Sequence, residues 1–172
     1  MRRKDREIKD TSKIKEILEE AKVCRLGFYD EEAQEVYIVP LNYGWSWQES
    51  GEELSGSGET QGTLRLYFHG AKEGRKLELI AKAKGTKGIG FEIETGFELH
   101  PSDMACSHSA AFKSIIGTGA VNVVTDIEEK IVALTSIMQH YTGRHWDFTD
   151  EQAASVAVFC LTAAKLSCKE HK

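Results

Sequence analysis

Residues 64–80, LRLYFHGAKEGRKLELI, contain a strand-like half followed by a helix-like half. The first half alternates apolar and aromatic residues, as a half-buried strand does. The second half places Leu77, Ile80 and Ala81 on one face of a helix. This stretch therefore predicts a strand, a glycine-containing turn and a helix in direct succession.

The predicted turn is unusual in its charge, because Lys72, Arg75 and Lys76 crowd the start of the helix. A helix N-terminus carries partial positive charge and normally favours acidic residues. Cations beside free backbone amides suit a bound anion such as phosphate, and Gly70 and Gly74 allow its close approach. A solvated basic helix start without a ligand accounts for these residues equally well, so both interpretations stay open here.

The composition indicates a single globular domain covering residues 1–172. Hydrophobic residues make up 41% of the chain and charged residues 28%, with a formal net charge of -5. Because no overall basic excess is available to neutralise phosphates along a duplex, a general nucleic-acid binder is not expected.

The sequence predicts a cytoplasmic protein with no membrane partner. No apolar run approaches the roughly 20 residues that span a bilayer, and the charged N-terminus does not resemble a signal peptide. The four cysteines form no Cys-x-x-Cys pair, so reduced thiols are expected rather than a zinc ribbon or a redox motif.

The order of predicted elements favours a mainly β fold with peripheral helices. A helix is expected after residues 10–12, and a second behind a capping box at residues 125–128 that ends at Gly143. Pro40 interrupts a strand and should lie at an edge, at a bulge or beside a ligand. The remaining predictions are strands at 23–29, 35–45, 87–99 with a bend near Gly96, 110–124 and 153–166, a flexible loop over Gln48–Gly62, and a helix end at Gly85. About six strands joined in this way indicate an antiparallel barrel.

Several histidines could be ligands, but ordinary roles explain them. His100, Asp103, Cys106 and His108 match no standard zinc spacing, so we expect a polar connector and no metal. His140 and His145 flank a helix end, where a cationic side chain suits the dipole, and a capping role is predicted for them.

The order of elements and several motifs resemble the FMN-binding split barrel of the pyridoxamine 5'-phosphate oxidase-like superfamily, and specifically its nitroimidazole-resistance (Nim-type) flavoproteins. The resemblance covers most of the chain. It rests on residues 1–8 (MRRKDREI), 24–28 (CRLGF), 39–44 (VPLNYG), 66–76 (LYFHGAKEGRK) and 114–119 (SIIGTG). It implies an antiparallel six-stranded split β-barrel.

The resemblance also implies a cofactor site. Arg75 and Lys76 are expected to hold the FMN phosphate, the strand over residues 39–43 to lie along the flavin ring, and His69 to face it as the candidate catalytic residue. The implied cofactor-binding residues are Val39, Pro40, Leu41, Asn42, Tyr43, Phe68, His69, Gly70, Lys72, Arg75, Lys76 and Ser114.

Members of this family are usually homodimers with FMN at the subunit interface, so Ser114 is expected to reach the partner's cofactor. Trp45, continuing the strand beside the ring, is the best aromatic candidate for a wall of the pocket, with core or interface packing as the alternative. The chain departs from the family pattern in the Gln48–Gly62 insertion and in the ending of residues 162–167.

The implied function is that of an oxidoreductase. Electrons from a reduced nicotinamide or another donor would reduce a small acceptor of the nitroaromatic type. A pyridoxamine phosphate oxidase proper is not expected, because the C-terminal substrate-binding pattern of that subgroup is missing. The alternatives are a non-catalytic flavin or heme binding protein and an interaction domain without flavin.

Overall fold

The computed structural model describes residues 3–49, 62–83 and 88–172. Among these residues it contains eight strands, all paired antiparallel, and four α-helices. The strands are β1 (Glu7–Ile8), β2 (Cys24–Asp30), β3 (Glu35–Leu41), β4 (Gly44–Gln48), β5 (Thr63–Gly70), β6 (Ile89–His100), β7 (Ser109–Val124) and β8 (Ala157–His171). The helices are α1 (Thr11–Glu20), α2 (Arg75–Lys82), α3 (Ile127–Thr142) and α4 (Asp150–Ser155), and short 3-10 turns cover Lys4–Arg6 and Ala105–Ser107. The mainly β class is confirmed, with eight strands rather than six.

The sheet is curled, and the order of its strands shows where it opens. The strands run β3-β2-β6-β7-β8-β5-β4, with β1 beside β8, so the consecutive strands β3 and β4 lie at opposite edges. Only Asn42 and Tyr43 separate Leu41 from Gly44, which limits the gap to about 11 Å. The two edges must therefore approach each other here, which makes a barrel that is split between β3 and β4.

Two apolar clusters stabilise this arrangement. Successive strand residues point to opposite faces, so Leu66 and Phe68 pack inside the barrel while Tyr67 packs outside it against α3. The inner cluster also contains buried residues of α1, β2, β6 and β7, among them Ile14, Leu18, Leu26, Phe28, Phe91, Ile93 and Ile115. The outer cluster joins α3 to β5 and β8 through Ala133, Leu134, Ile137, Val158 and Cys160.

Local signals placed several elements correctly. Asp10 caps α1 by accepting a hydrogen bond from the Ser12 amide, and Gly143 ends α3 in the left-handed conformation, with φ of 71°. The bend predicted near Gly96 is confirmed as a register shift between Thr95 and Glu98 in the β6–β7 ladder. Pro40 lies in β3, an edge strand, as a residue without an N–H requires.

Other predictions were wrong. The strand over residues 35–45 is two strands, because the chain leaves one sheet edge and joins the other. The start of the predicted strand 153–166 belongs to α4, whose capping box joins Thr149 and Gln152. The capping box over residues 125–128 does not form, since Asp126 is the N-cap and accepts a hydrogen bond from the Glu129 amide.

Two predictions fall outside the described residues. They are most of the Gln48–Gly62 loop, at positions 50–61, and the helix end at Gly85. No helix in the described part of the chain is long and apolar enough to cross a membrane.

Candidate functional site

The turn between β5 and α2 has the predicted strand-to-helix form. Gly74 is the N-cap of α2, with φ of 106°, and no side chain caps the helix. Its carbonyl oxygen accepts hydrogen bonds from the amides of Leu77 and Glu78. The first backbone amides of α2 therefore have no side-chain partner in the described part of the chain, which suits an anion.

The buried face of α2 differs slightly from the predicted one. Ile80 and Leu79 are buried and Leu77 is half-buried, whereas Ala81 is exposed. This face fixes α2 against the barrel core. In its first turn Arg75 and Glu78 are exposed, whereas Lys76 is half-buried.

Arg75 makes its contacts with the turn that joins β2 to β3. Its Nε and Nη2 donate to Oδ2 of Asp30, at 3.0 and 2.8 Å, and Nη2 also donates to Oε1 of Glu35, at 2.6 Å. The guanidinium lies over the ring of Tyr37, 4.9 Å from its centroid. The two carboxylates, Glu35 first, raise the pKa of Arg75. Arg75 is thus a cation already engaged by two acids.

Lys76 is placed differently. It is half-buried, with Nζ 5.2 Å from the centroid of the Phe159 ring, and it has no carboxylate partner among the described residues. Burial without such a partner lowers the pKa of Lys76. A side chain at Gly70 would clash with this ammonium, since an added Cβ would lie 2.6 Å from Nζ. Gly70 therefore leaves the space that Lys76 occupies.

His69 stands at the exposed end of β5, opposite Val158 of β8. Burial of part of the ring, and secondly the positive charge of Lys76, lower the pKa of His69. Its imidazole is therefore neutral near pH 7 and can donate one hydrogen bond and accept another. The structure brings together three predicted site residues here, His69, Gly70 and Lys76.

The other predicted residues fall into three groups. The first group is exposed: Lys72, which has no ion pair among the described residues, and Pro40 and Asn42, which lie on or just after edge strand β3. The second group, Val39 and Leu41, is half-buried on the same strand. Tyr43 and Phe68 are buried in the core. Their side chains are consequently occupied by packing and are not available to a ligand.

The buried side chains make specific contacts. The Tyr43 hydroxyl lies 2.8 Å from the carbonyl oxygen of Leu18, to which it donates, and Phe68 stacks on Phe159 with centroids 5.3 Å apart. Ser114 lies on β7 between Glu94 and Lys169, and its buried Oγ has no hydrogen-bond partner in the described part of the chain. An orphaned buried hydroxyl is a candidate for contact with a ligand or a second chain.

Sequence reasoning missed the residues that hold Arg75, namely Asp30, Glu35 and Tyr37. A hairpin brings residues on its two strands together, and the register indeed pairs Asp30 with Glu35. The pairing of two acidic residues across the hairpin was the available sign of a binding partner for a cation. Nothing in the neighbouring sequence, however, indicates that this cation is Arg75, 40 residues after Glu35.

The two histidines near the end of α3 do not cap it. His140 is buried and its Nδ1 donates to the Tyr43 carbonyl oxygen at 2.6 Å, while Nε2 faces that of Glu19 at 3.2 Å. His145 pairs with Asp147 at 3.1 Å. Trp45, in turn, lies on β4 against the inner core and does not continue β3.

The polar connector over residues 100–108 has no metal-like arrangement. Its Asp103, Cys106 and His108 are exposed, and His108 Nδ1 donates to the carbonyl oxygen of Met104 at 3.1 Å. No group of three or more metal-ligating side chains was found among the described residues.

Known proteins resemble this chain in sequence and in fold. The family model described as pyridoxamine 5'-phosphate oxidase matches residues 10–170. A candidate 5-nitroimidazole antibiotic resistance protein from Bacteroides thetaiotaomicron is 27% identical, with a TM-score of 0.70 over 95% of this chain and 86% of that one. No curated protein matches the chain.

Two further solved structures share the fold at lower identity. The flavocytochrome Anf3 from Azotobacter vinelandii is 18% identical, with a TM-score of 0.70 over 100% of this chain and 72% of that one. An FAD and heme binding protein from Mycobacterium smegmatis is 12% identical, with a TM-score of 0.70 over 97% of this chain and 74% of that one.

Proposed function

Because the chain belongs to the pyridoxamine 5'-phosphate oxidase family, we propose that it binds FMN at the turn before α2 and acts as a flavin-dependent oxidoreductase. The observation that carries this proposal is Lys76, a half-buried cation without a carboxylate partner among the described residues, beside an uncapped helix start. A buried charge needs an opposite charge, and a phosphate supplies one.

The residues present fit a phosphorylated flavin. Lys76 and Lys72 offer ammonium groups, the first amides of α2 offer N–H donors, and the space above Gly70 is open except for the Lys76 side chain. Arg75 would contribute through the donors that its two carboxylates leave, because its Nη1 has no acceptor among the described residues. These groups would bind the phosphate and orient the rest of the molecule.

When bound, the flavin supplies the redox chemistry, and the protein supplies binding and orientation. We assign the ring to the side of edge strand β3, where Pro40 has no N–H and the outer ladder positions of the strand have no neighbour in the described sheet. His69, neutral and exposed beside Lys76, is the candidate to donate or accept a proton at a bound acceptor. The resistance protein that is 27% identical supports a nitroaromatic acceptor.

A homodimer with the flavin at its interface is part of the proposal. Tyr29, Val36, Ile38 and Ile116 are each at least 50% exposed on strands β2, β3 and β7. Ile38 lies beside Gly27, which pairs with Gly90, so part of this face is flat. An exposed apolar face of this kind supports packing against a second copy.

The variant Ile38→Lys should shift the mass measured by light scattering from dimer to monomer, and a monomeric wild type would contradict the assignment.

The first test of cofactor binding is the absorbance spectrum of the purified protein, followed by chromatographic identification of the released flavin as FMN or FAD. A heme spectrum, or no chromophore after incubation with FMN, would contradict the proposal. Lys76→Glu should lose the flavin. Lys82→Glu is the matched control, because Lys82 lies on the same helix and pairs with Glu32 at 2.7 Å.

Turnover is tested separately. Anaerobic mixing with a reduced nicotinamide should bleach the bound flavin, and a nitroaromatic should restore its colour. Flavin that stays oxidised with every donor tried would favour a flavin carrier without catalysis.

A further inference from the structure

The contacts of Arg75 divide into a fixed side and an exchangeable side. Asp30 forms the fixed side, since its carboxylate is only 10% exposed and its Oδ1 accepts hydrogen bonds from the amides of Glu32 and Ala33, at 3.2 and 3.1 Å. These amides and Arg75 together hold the pKa of Asp30 below its usual value. Asp30 is therefore locked into the turn and holds Arg75 through Nε and Nη2.

Glu35 forms the exchangeable side. Its carboxylate is 57% exposed, and among the described residues its only ion pair is the one with Arg75. It stands at the first position of β3, and among the described residues no backbone amide donates to its oxygens as the amides of Glu32 and Ala33 do to Asp30. An exposed pair of this kind is weak and can exchange with another anion.

Glu35 competes with an incoming anion for the Arg75 guanidinium. Asp30 and Glu35 both pair with the Arg75 guanidinium, so their charges offset the positive charge that Arg75 would offer to an incoming anion. Since Tyr37 covers one face of the guanidinium, an incoming phosphate must use its edge, and Nη2 is shared with Glu35. A phosphate that binds this edge would take Nη1, which has no acceptor among the described residues, and would compete with the Glu35 carboxylate for Nη2.

We propose that Glu35 sets the affinity of this site for phosphomonoesters by competing for Arg75, and that Asp30 is the positioning residue that keeps Arg75 in place. This inference rests on the proposed function. A phosphomonoester dianion can displace the carboxylate, whereas a flavin without a phosphate gains nothing from doing so. Glu35 thus acts on the phosphate end of a flavin and not on its ring.

The test compares FMN with riboflavin, which carries no phosphate, in wild type and in Glu35→Gln. Fluorescence titration should show FMN binding about twofold to fivefold more tightly in the variant, in keeping with the loss of one exposed ion-pair competitor. Riboflavin affinity should not change. Glu32→Gln is the matched control, because it removes the same charge from the same turn but pairs with Lys82.

An equal change in the two variants, or none in Glu35→Gln, would overturn the competition while leaving the FMN site intact. If the wild type bound neither flavin, the proposed function and this inference would both fail. Asp30→Asn should weaken FMN and leave riboflavin unchanged, provided that thermal unfolding shows a folded protein. Equal weakening of both flavins in folded Asp30→Asn would contradict the positioning role.

Discussion

The junction at Tyr43 and the turn before α2 both belong to the predicted cofactor site, yet they are built in opposite ways. Tyr43 is buried, its hydroxyl donates to the Leu18 carbonyl oxygen, and its own carbonyl oxygen accepts from His140. Lys76 is half-buried and lacks a carboxylate partner among the described residues. The first region uses its polar groups inside the protein, and the second leaves a cation available to a ligand.

Because of this difference, substitutions at the junction are expected to change the stability of the fold, and substitutions at the turn before α2 are expected to change ligand binding. His140 joins three elements at the junction, because its ring faces carbonyl oxygens of Tyr43 and Glu19, and its own carbonyl oxygen accepts from Lys22 at 2.8 Å. A hydrogen-bond network built on the buried side chains of Tyr43 and His140 resists substitution. In the part of the chain that the structure describes, the turn before α2 has no comparable hydrogen-bond network around Lys76.

The largest effect is expected at the junction. Tyr43→Ala removes a buried ring and its hydrogen bond, so the free energy of unfolding should fall by about 3–5 kcal/mol. Tyr43→Phe keeps the ring and should cost about 1 kcal/mol. Urea unfolding measures both. If Tyr43→Ala lost flavin but kept its stability, Tyr43 would belong to the site rather than to the scaffold.

Two glycines offer the next comparison. A Cβ at Gly44 would lie 2.5 Å from the backbone nitrogen of Ile137 in α3, so Gly44→Ala should cost about 2–3 kcal/mol. Gly74 has open space around it, but its φ of 106° and ψ of 167° lie in a region almost restricted to glycine, so Gly74→Ala should cost about 1–2 kcal/mol. Equal unfolding free energies for the two variants would contradict the distinction between a packed junction and an open turn.

Lys76→Met is expected to separate stability from binding. Removing a desolvated charge that has no carboxylate partner among the described residues should leave the unfolding free energy unchanged or higher. The loss of a charged hydrogen bond to phosphate should weaken FMN about 10-fold to 100-fold. Chemical denaturation without flavin and a binding titration measure the two effects. A marked loss of stability in Lys76→Met, with Lys82→Met unaffected, would show that Lys76 is structural.

The sequence was informative where the signals are local. Caps and glycines identified the ends of α1 and α3 and the bend at Gly96, and the cations before α2 pointed to an anion. The helix α4 was missed because its last residues were joined to the following stretch rich in Val, Phe and Thr, although its alanines favour a helix and Thr149 and Gln152 have capping-box spacing. Long-range contacts had no such signal.

Two long-range contacts decided how the site differs from its prediction. Arg75 is held by Asp30 and Glu35, which lie 45 and 40 residues earlier in the chain. Tyr43 reaches His140, 97 residues later. Hydrogen-bond partners at this separation depend on how the sheet curls, and a pattern of residue types along the chain does not encode that.

The smallest expected effect concerns His69. Burial and the charge of Lys76 lower the pKa of His69 from its ordinary value of 6.5. The unfolded chain therefore binds more protons than the folded one below that pH, and the stabilising contribution of neutral His69 is lost as pH falls through the folded pKa. NMR titration of the His69 ring should show the lowered value. Lys76→Met should move it partly back towards 6.5, since burial, the larger cause, remains. An unchanged pKa of His69 in that variant would show that the charge of Lys76 does not act on the imidazole. His69 would then not belong to the same site as Lys76.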